Sequence, residues 1–572
     1  MTLRPFAASP PALPHHPALD WLTTPGQTPD DKALPPDGVT PFLPSDSQQP
    51  GPSSVDRSGT SCASTAGAAS GVSPTPRATA TKSSLLEQAV SDTAKQVNIA
   101  AASNEVSEKI LESRKLKSVD RVERHMWRVR EVQPVINAVV EDRYEEAETE
   151  AADQLVASGT LTPEQLVMDK PVLGVPLSTK DCYAVKGMLQ DSGLVLRKGF
   201  RAPQDADGMA LLRAASAIPP ALTNISELCM WWESYNNLHG RTNNPYDSRR
   251  ICGRSSGGEG SLIASAGSVI GVGTDIGGSI RMPAFFKGIF DHKPTRGLVS
   301  NKGQYPPARD HSLDACLVAG PMCRYAQDLK LMLAIMAGPR ASLVPFNTEV
   351  DWSKVTVYYR VDDLGGALCT PVHPEMKDCV ARNIRHAHGS PVVELALEEF
   401  RYSAQIFTAR LAAAAVPSFD SELALLKGKV PVWRELGCFL LRCSPHTLPA
   451  LALCLLEWLS PKRGHPALTR VLARADTLRD RLDALLGASN AIFVYPSHPE
   501  PAPFHYQPLL KPFNYAYTAI FNVLGYPTCQ CPVGISPLGM QVVAAFYKDH
   551  LCLDGAREVE KAFCGWLQPL TE

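Results

Sequence analysis

The chain has 572 residues, a net charge of -2 at neutral pH, and 44% hydrophobic against 20% charged residues. This composition is typical of a globular protein with a large core, and the near-neutral charge excludes the basic surface with which proteins bind nucleic acid. The fifteen cysteines include no Cys-x-x-Cys pair, which argues against a zinc ribbon or a thioredoxin-like site and favours reduced thiols.

Residues 1–95 form a separate zone rich in Pro, Ser, Thr, Ala and Gly. The zone contains no isoleucine, and its aromatic residues are Phe6, Trp21 and Phe42. Such a stretch buries too little apolar surface to offset its ordering entropy. We predict a disordered tail over 1–95 and a folded domain over 96–572. Prolines break the first twenty residues, so a signal peptide is not expected.

Helical spacing of apolar residues begins at Ser103 and continues through the acidic run 141–155. Residues 171–179 predict a short buried strand, and residues 217–222 predict another. Between them, residues 204–216 predict a helix that is capped near Asp205 or Asp207.

The same alternation continues downstream. Residues 255–266 predict a helix entered through glycines, residues 268–274 predict a strand, and a third helix is predicted to begin near Ser279. Alternating strands and helices favour an α/β core with a largely buried sheet.

Residues 431–459 are a dense apolar block, which Pro445 and Pro449 interrupt and Lys462 and Arg463 follow. One interpretation is a buried helical hairpin, since large proteins need apolar helices. The other is a monotopic membrane cap, with its apolar face in lipid and its basic residues at the headgroups. No apolar run reaches the roughly 18–20 residues of a membrane-spanning helix.

The segment from Asp275 to Ser279 reads Asp-Ile-Gly-Gly-Ser. Glycines let successive backbone N–H groups point together, and the N-terminus of a following helix adds positive potential. Such a turn can place the Ser279 hydroxyl and a set of oxyanion donors on one carbonyl, as acyl transfer requires. The alternative is an ordinary glycine-rich turn between a strand and a helix.

Lys180 follows an apolar stretch and precedes Asp181, and Ser255 lies in Gly-Arg-Ser-Ser-Gly-Gly. A buried lysine loses hydration, so its neutral amine can act as a base. Ser255 could then relay a proton between Lys180 and Ser279. The alternative for Lys180 is an exposed residue at a strand end.

Residues 174–181, 223–227, 240–260 and 271–294 together resemble the amidase signature family. Within this family the sequence is most similar to the fatty-acid amide hydrolases, in particular their second vertebrate-type branch. The resemblance covers roughly 95–570 and implies an α/β fold in which a mixed twisted sheet lies between helices. It also implies that 96–572 is a catalytic domain that cleaves fatty-acid amides, and esters, to fatty acid and amine.

By this resemblance Ser279 is the nucleophile, Ser255 the relay serine reached through a cis peptide bond, and Lys180 the base. The same resemblance assigns the oxyanion-hole amides to Ile276, Gly277, Gly278 and Ser279. Met230 and Trp232 match positions near the acyl channel, although both could be ordinary core residues.

Arg254 departs from the family pattern, which has glycine at this position. It precedes Ser255, so it would crowd the expected cis bond and add a charge near Lys180. We expect its guanidinium to extend toward water. The departure puts full activity in question, and a catalytically impaired lipid-binding or scaffold protein is therefore an alternative.

Two further alternatives remain open. Gly253-Arg254-Ser255-Ser256-Gly257 also fits the nucleophile elbow of an α/β-hydrolase, with His498 or His505 as the base, but this leaves Lys180 unexplained. A family member that acts on small amides is the other alternative.

No metal and no cofactor are expected. The expected partner is a lipid amide substrate, with a membrane or lipid-droplet surface if 431–459 is a cap. This places the protein at the cytoplasmic side of a membrane or at a droplet, and a homodimer is left open.

Overall fold

Eleven strands of the described residues form one mixed sheet. The computed structural model describes residues 86, 88–91, 118–159, 161–385, 389–488, 490–534 and 537–569. The helical spacing predicted from Ser103 to 117, and nearly all of the predicted tail, lie outside these residues. The sheet order is β1-β3-β2-β8-β10-β9-β14-β15-β13-β11-β12.

The strands of this sheet and of two small hairpins have the following bounds: β1 Val139–Asp142, β2 Pro176–Lys180, β3 Ile218–Thr223, β4 Tyr235–Asn236, β5 Gly240–Arg241, β6 Asn243–Asn244, β7 Asp247–Ile251, β8 Ile270–Asp275, β9 Phe290–Lys293, β10 Val318–Cys323, β11 Thr356–Tyr359, β12 Val392–Glu394, β13 Ala491–Pro496, β14 Thr528–Pro532 and β15 Gly539–Ala544.

The α-helices are α1 Ser118–Ile136, α2 Tyr144–Ser158, α3 Pro163–Asp169, α4 Asp207–Ala214, α5 Gly257–Ala264, α6 Arg281–Phe285, α7 His311–Asp314, α8 Ala326–Ala337, α9 Pro374–Arg385, α10 Ser403–Ala413, α11 Phe419–Leu423, α12 Val432–Leu440, α13 Leu448–Leu459, α14 Pro466–Gly487, α15 Ala516–Leu524 and α16 Asp549–Phe563.

Strand direction changes across the sheet. Strand β2 runs parallel to both β3 and β8, and β11 runs parallel to β12 and β13, whereas β8, β10, β9, β14, β15 and β13 pair antiparallel in succession. All residues of β2, β3 and β8 are buried, as expected of strands covered on both faces. The predicted mixed sheet with flanking helices is confirmed.

The predicted elements around the candidate site are present in the structure, with ends that differ by one to five residues. The strand predicted over 171–179 is β2, and its last residue is Lys180. The start predicted for α4, near Asp205 or Asp207, is confirmed, because the N-cap is Ala206 and Asp207 is the first helical residue, although no side chain caps the helix. Asp205 instead accepts a hydrogen bond from the Lys186 amide at 2.7 Å and pairs with Arg213.

The main core packs both faces of the sheet and reaches into the N-terminal zone. Val90 is 2% exposed and belongs to this core, and Leu86 and Ala89 pack against it. The expectation that 1–95 contributes nothing to a packed core is therefore wrong for this short segment.

The apolar block 431–459 folds as a helical hairpin of α12 and α13. Its inner face is core, with Leu451 fully buried against Leu423 and Leu228. Its outer face is not core, because five large apolar side chains are 68% to 82% exposed: Trp433, Leu440, Leu441, Trp458 and Leu459. The interpretation as a wholly buried hairpin is thus wrong for the outer face. Within the described residues, no helix is both long and apolar enough to span a bilayer.

Candidate active site

Lys180 is fully buried at the carboxyl end of β2. Its Nζ donates to Ser255 Oγ at 2.7 Å and to the Thr274 carbonyl oxygen at 3.3 Å. The parallel neighbours β3 and β8 end at the same edge of the sheet, so Thr274 comes from the end of β8. The structure thereby brings two of the predicted site residues, Lys180 and Ser255, into direct contact.

Ser255 lies in the turn between β7 and α5, and Ser234 holds that turn in place. The Ser234 hydroxyl donates to the carbonyls of Gly253 and Ser255 at 3.2 and 3.3 Å and accepts from the Gly257 amide at 3.0 Å. A Cβ at Gly257 would collide with Ser234 Oγ, which explains the glycine. No local sequence pattern marks Ser234, so it was not among the predicted site residues.

Asp275 organises the glycine turn that follows β8. Its carboxylate accepts from the Gly278 amide at 2.6 Å and the Ile280 amide at 3.2 Å, and it pairs with Arg281 at 3.1 Å. Burial alone would raise the pKa of Asp275, but the Arg281 charge and these hydrogen bonds outweigh it and hold the pKa below its ordinary value. Gly278 has φ of 112°, and a Cβ there would collide with Thr518.

Ser279 begins the segment that leads into α6. Its side chain is 1% exposed, and its Oγ is buried without a hydrogen-bond partner in the described part of the chain. A buried hydroxyl without a partner carries a desolvation cost, so it stands out as a group held for another purpose.

The four amides assigned to an oxyanion hole differ in their availability. The Gly278 amide already donates to Asp275, whereas the structure gives no acceptor within the described residues to the amides of Ile276, Gly277 and Ser279. The last three can therefore turn toward a ligand oxygen without breaking an existing bond.

Two expectations about Arg254 are wrong. The peptide bond before Ser255 is trans, and the cis bond within the described residues is Tyr305–Pro306. The guanidinium does not reach water either, because Arg254 is 5% exposed. Its Nη2 donates to the Gly277 carbonyl at 3.0 Å, and its Cζ lies 4.8 Å from the Tyr515 ring centroid.

Met230 and Trp232 have different surroundings. Trp232 is buried among rings, with centroid distances of 5.6 Å to His498 and 6.4 Å to Tyr515. Met230 is half-buried and packs against the core of the α12–α13 hairpin.

The segment Glu227–Cys229 joins the site to the same hairpin. The buried Glu227 carboxylate accepts from His446 Nδ1 and from the Thr447 amide, both at 2.8 Å, at the start of α13. On the other side, a hydrogen bond from the Cys182 thiol lowers the pKa of Cys229 although burial opposes it. Neither Glu227 nor Cys229 was among the predicted site residues.

Glu259 is buried in α5 behind Lys180. Ser178 and Thr223 donate to its carboxylate, the latter at 2.8 Å. Burial raises the pKa of Glu259 to about 7 in spite of these donors.

The two histidines of the α/β-hydrolase alternative have other partners. His498 Nδ1 lies 2.7 Å from the Glu500 carbonyl oxygen, and His505 Nδ1 lies 3.1 Å from Glu233 Oε2. The contact of Ser255 Oγ is with Lys180. The geometry therefore disfavours a serine–histidine pair at Ser255.

Asp181, Asp191 and His239 bring three ligand atoms within 4.8 Å of one another. Internal bonds already occupy them: Asp181 accepts from the amides of Asp191 and Gly193, and His239 Nε2 lies 3.0 Å from Asp191 Oδ2. The cluster closes a turn beside Lys180, and nothing in it indicates a metal ion or a cofactor.

The chain belongs to the amidase family. The family model "Amidase" matches residues 120–553, which include every site residue described above. The resemblance to the amidase signature family is thereby confirmed.

Among its relatives are fatty-acid amide hydrolases. The chain is 44% identical to fatty-acid amide hydrolase 2-A of Danio rerio, over 79% of this chain and 87% of the relative. It is 42% identical to fatty-acid amide hydrolase 2 of Homo sapiens, over 81% and 89% of the two chains. A solved fatty acid amide hydrolase shares the fold, with a TM-score of 0.65 at 19% identity over 86% of this chain and 91% of that one.

Proposed function

We propose that this chain hydrolyses fatty-acid amides, and esters of the same acids, to free fatty acid and amine. The observation that carries the proposal is the buried hydrogen bond between Lys180 Nζ and Ser255 Oγ, next to the turn that holds Ser279. The relatives named fatty-acid amide hydrolase 2, at 42–44% identity, support the acyl part of the substrate.

In the proposed reaction the Ser279 hydroxyl attacks the amide carbonyl. Its proton passes to Ser255 Oγ as the Ser255 proton passes to Lys180 Nζ, and the same path returns a proton to the leaving amine. Water then releases the fatty acid from Ser279. The amides of Ile276, Gly277 and Ser279 hold the tetrahedral oxyanion, and Asp275 keeps the turn rigid through Gly278.

The long acyl chain is proposed to lie against Trp232 and Met230. The two side chains offer an aromatic and a thioether surface, which suit an apolar ligand. Met230 also contacts the core of the hairpin, so this wall continues toward α12 and α13.

We further propose that the outer face of the hairpin docks on a lipid surface at the cytoplasmic side of a membrane or on a droplet. Exposed Trp458 and Leu459 end α13, and the basic residues Lys462 and Arg463 follow them on the exposed surface. Aromatic and leucine side chains beside basic ones are typical of interfacial helices. A second copy of the chain is the alternative cover for the same face.

Turnover and active-site labelling of the purified full chain test the hydrolytic proposal. We expect oleamide to be cleaved faster than a short-chain amide, and a fluorophosphonate probe to label the wild type but not Ser279→Ala. The exposed Ser342→Ala serves as the matched control and should react like the wild type. If the wild type shows neither turnover nor labelling, the proposal is wrong, and an inert lipid-binding relative of the amidases takes its place.

A further inference from the structure

Arg254 places a full positive charge inside the catalytic centre. Burial lowers the pKa of its guanidinium, yet arginine stays charged in folded proteins. The side chain has five N–H donors, of which Nη2 is bonded to Gly277 and the buried Nε has no acceptor in the described structure.

No carboxylate of the described residues forms an ion pair with Arg254. The nearby Asp275 is committed to Arg281, at 3.1 Å from Nε and 3.2 Å from Nη2, and to the turn amides. Cys229 acts on Arg254 through space, without a hydrogen bond between them. A buried cation that lacks a bonded anion is costly, by several kcal/mol in typical cases. This cost falls when a ligand supplies the anion.

Aromatic rings lie beside Arg254. Tyr515 stacks on the guanidinium, and its ring lies 5.4 Å from Phe407 and 6.4 Å from Trp232. Gly277, whose carbonyl Arg254 contacts, also carries one of the free oxyanion amides. The charge thus lies between the turn that precedes Ser279 and the ring of Tyr515, which neighbours Trp232.

We propose that Arg254 makes this site selective for acyl conjugates whose amine part carries a carboxylate, that is, N-acyl amino acids. The inference rests on the proposed function and specifies its substrate class. A carboxylate can accept from the unbonded Nε–H and a neighbouring N–H in the paired geometry that guanidinium favours. A neutral headgroup would leave the buried charge without an anion.

The test compares N-oleoylglycine with N-oleoylethanolamine, which share the acyl chain and differ in headgroup charge. The measured quantity is the kcat/KM for N-oleoylglycine divided by the kcat/KM for N-oleoylethanolamine. It is measured for the wild type and for Arg254→Met, Arg254→Lys and Arg249→Met. Arg254→Met keeps the length of the side chain but removes the charge. Arg249 is exposed and pairs with Asp247, so its variant is the control for loss of an arginine.

We expect Arg254→Met to lower the ratio at least about tenfold, because hydrogen bonds to charged groups are among the stronger ones in proteins. Arg254→Lys should recover part of the ratio, and Arg249→Met should leave it unchanged. An equal decrease of kcat/KM for both substrates would overturn the inference and assign Arg254 a purely structural role. An effect confined to inhibition by oleate would also overturn it, because the anion would then be the product.

The two proposals fail in different ways. If the wild type cleaves neither conjugate and is not labelled at Ser279, the hydrolytic function itself is wrong. If it cleaves both and Arg254→Met leaves their ratio unchanged, the function stands and the selectivity does not. Melting temperatures of the variants show whether an inactive one is folded. Should Arg254→Met unfold, the ratio measured for folded Arg254→Lys decides: a ratio below that of the wild type supports the inference, because lysine lacks the paired N–H donors of a guanidinium, and a ratio equal to that of the wild type overturns it.

Discussion

Lys180 and Ser255 show at the scale of single residues how a distant pair becomes one chemical unit. They are 75 residues apart in the chain and 2.7 Å apart between Nζ and Oγ. The enclosed amine has two oxygen neighbours, Ser255 Oγ and the Thr274 carbonyl, so its position is fixed before any substrate arrives. Preorganisation of this kind is a main source of rate enhancement.

The first prediction concerns this pair. Lys180→Ala and Ser255→Ala should each lower the rate of oleamide hydrolysis by about a hundredfold or more, the usual scale for acid–base assistance. The exposed Lys186→Ala is the control and should retain the rate. A near-normal rate for folded Lys180→Ala would remove Lys180 from the mechanism.

The second prediction concerns Glu259, whose pKa burial raises from 4.5 to about 7. The folded state binds this proton more tightly than the unfolded state, so stability is greatest below about pH 4.5 for this group and falls as the pH rises to about 7. Glu259→Gln cannot ionise, so its melting temperature should fall less than that of the wild type between pH 5 and 7. Parallel curves for the two proteins would contradict the raised pKa.

At the scale of secondary-structure elements, sequence patterns predicted the parts of the site whose signals are local. Buried apolar runs located β2, β3 and β8, and the glycine turn before Ser279 stands where it was expected. The partners that hold these parts were not predictable in the same way. Asn522 donates to Asp275 at 2.9 Å from 247 residues away, and nothing in the sequence near either residue announces the contact.

The expectations about Arg254 were wrong for a related reason. They followed from the family pattern and from the usual behaviour of exposed arginines. Burial of the guanidinium depends on Tyr515 and Gly277, which only the folded chain brings to it. The hairpin is an intermediate case, since the pattern indicated apolar helices but not which side chains face outward.

The third prediction concerns the hairpin. Replacing both Trp458 and Leu459 with serine should weaken liposome binding at least about tenfold, because each apolar side chain contributes roughly 1.5–3 kcal/mol when buried. Both side chains are exposed, so the fold should survive the change. Leu510→Ser, also exposed but outside the hairpin, is the control. If the wild type does not bind liposomes but is a dimer, and the double variant is a monomer, a second copy of the chain covers this face.

At the scale of the whole molecule, two N-terminal deletions of different length can locate the residue at which the folded unit begins. Removal of residues 2–80 should leave the melting temperature and the activity unchanged. Removal of residues 2–95 also deletes Val90 with Leu86 and Ala89, and the lost burial of Val90 alone should cost about 1.5–3 kcal/mol of stability. Thermal unfolding of the two truncated proteins measures the difference, and equal melting temperatures would show that these contacts contribute nothing.

The strand order also determines how long one strand edge stays unpaired during translation. Strand β9 pairs on one side with β10, which follows soon after it, but its other neighbour is β14, roughly 230 residues later. At ~5–20 residues per second the ribosome leaves that edge without its partner for roughly 10–50 s. Thr518 and Asn522, which complete the turn around Asp275, belong to the same late stretch. The nascent chain therefore exposes an unpaired strand edge, which favours aggregation, and it completes the turn around Asp275 only once Asn522, 247 residues later, has been made.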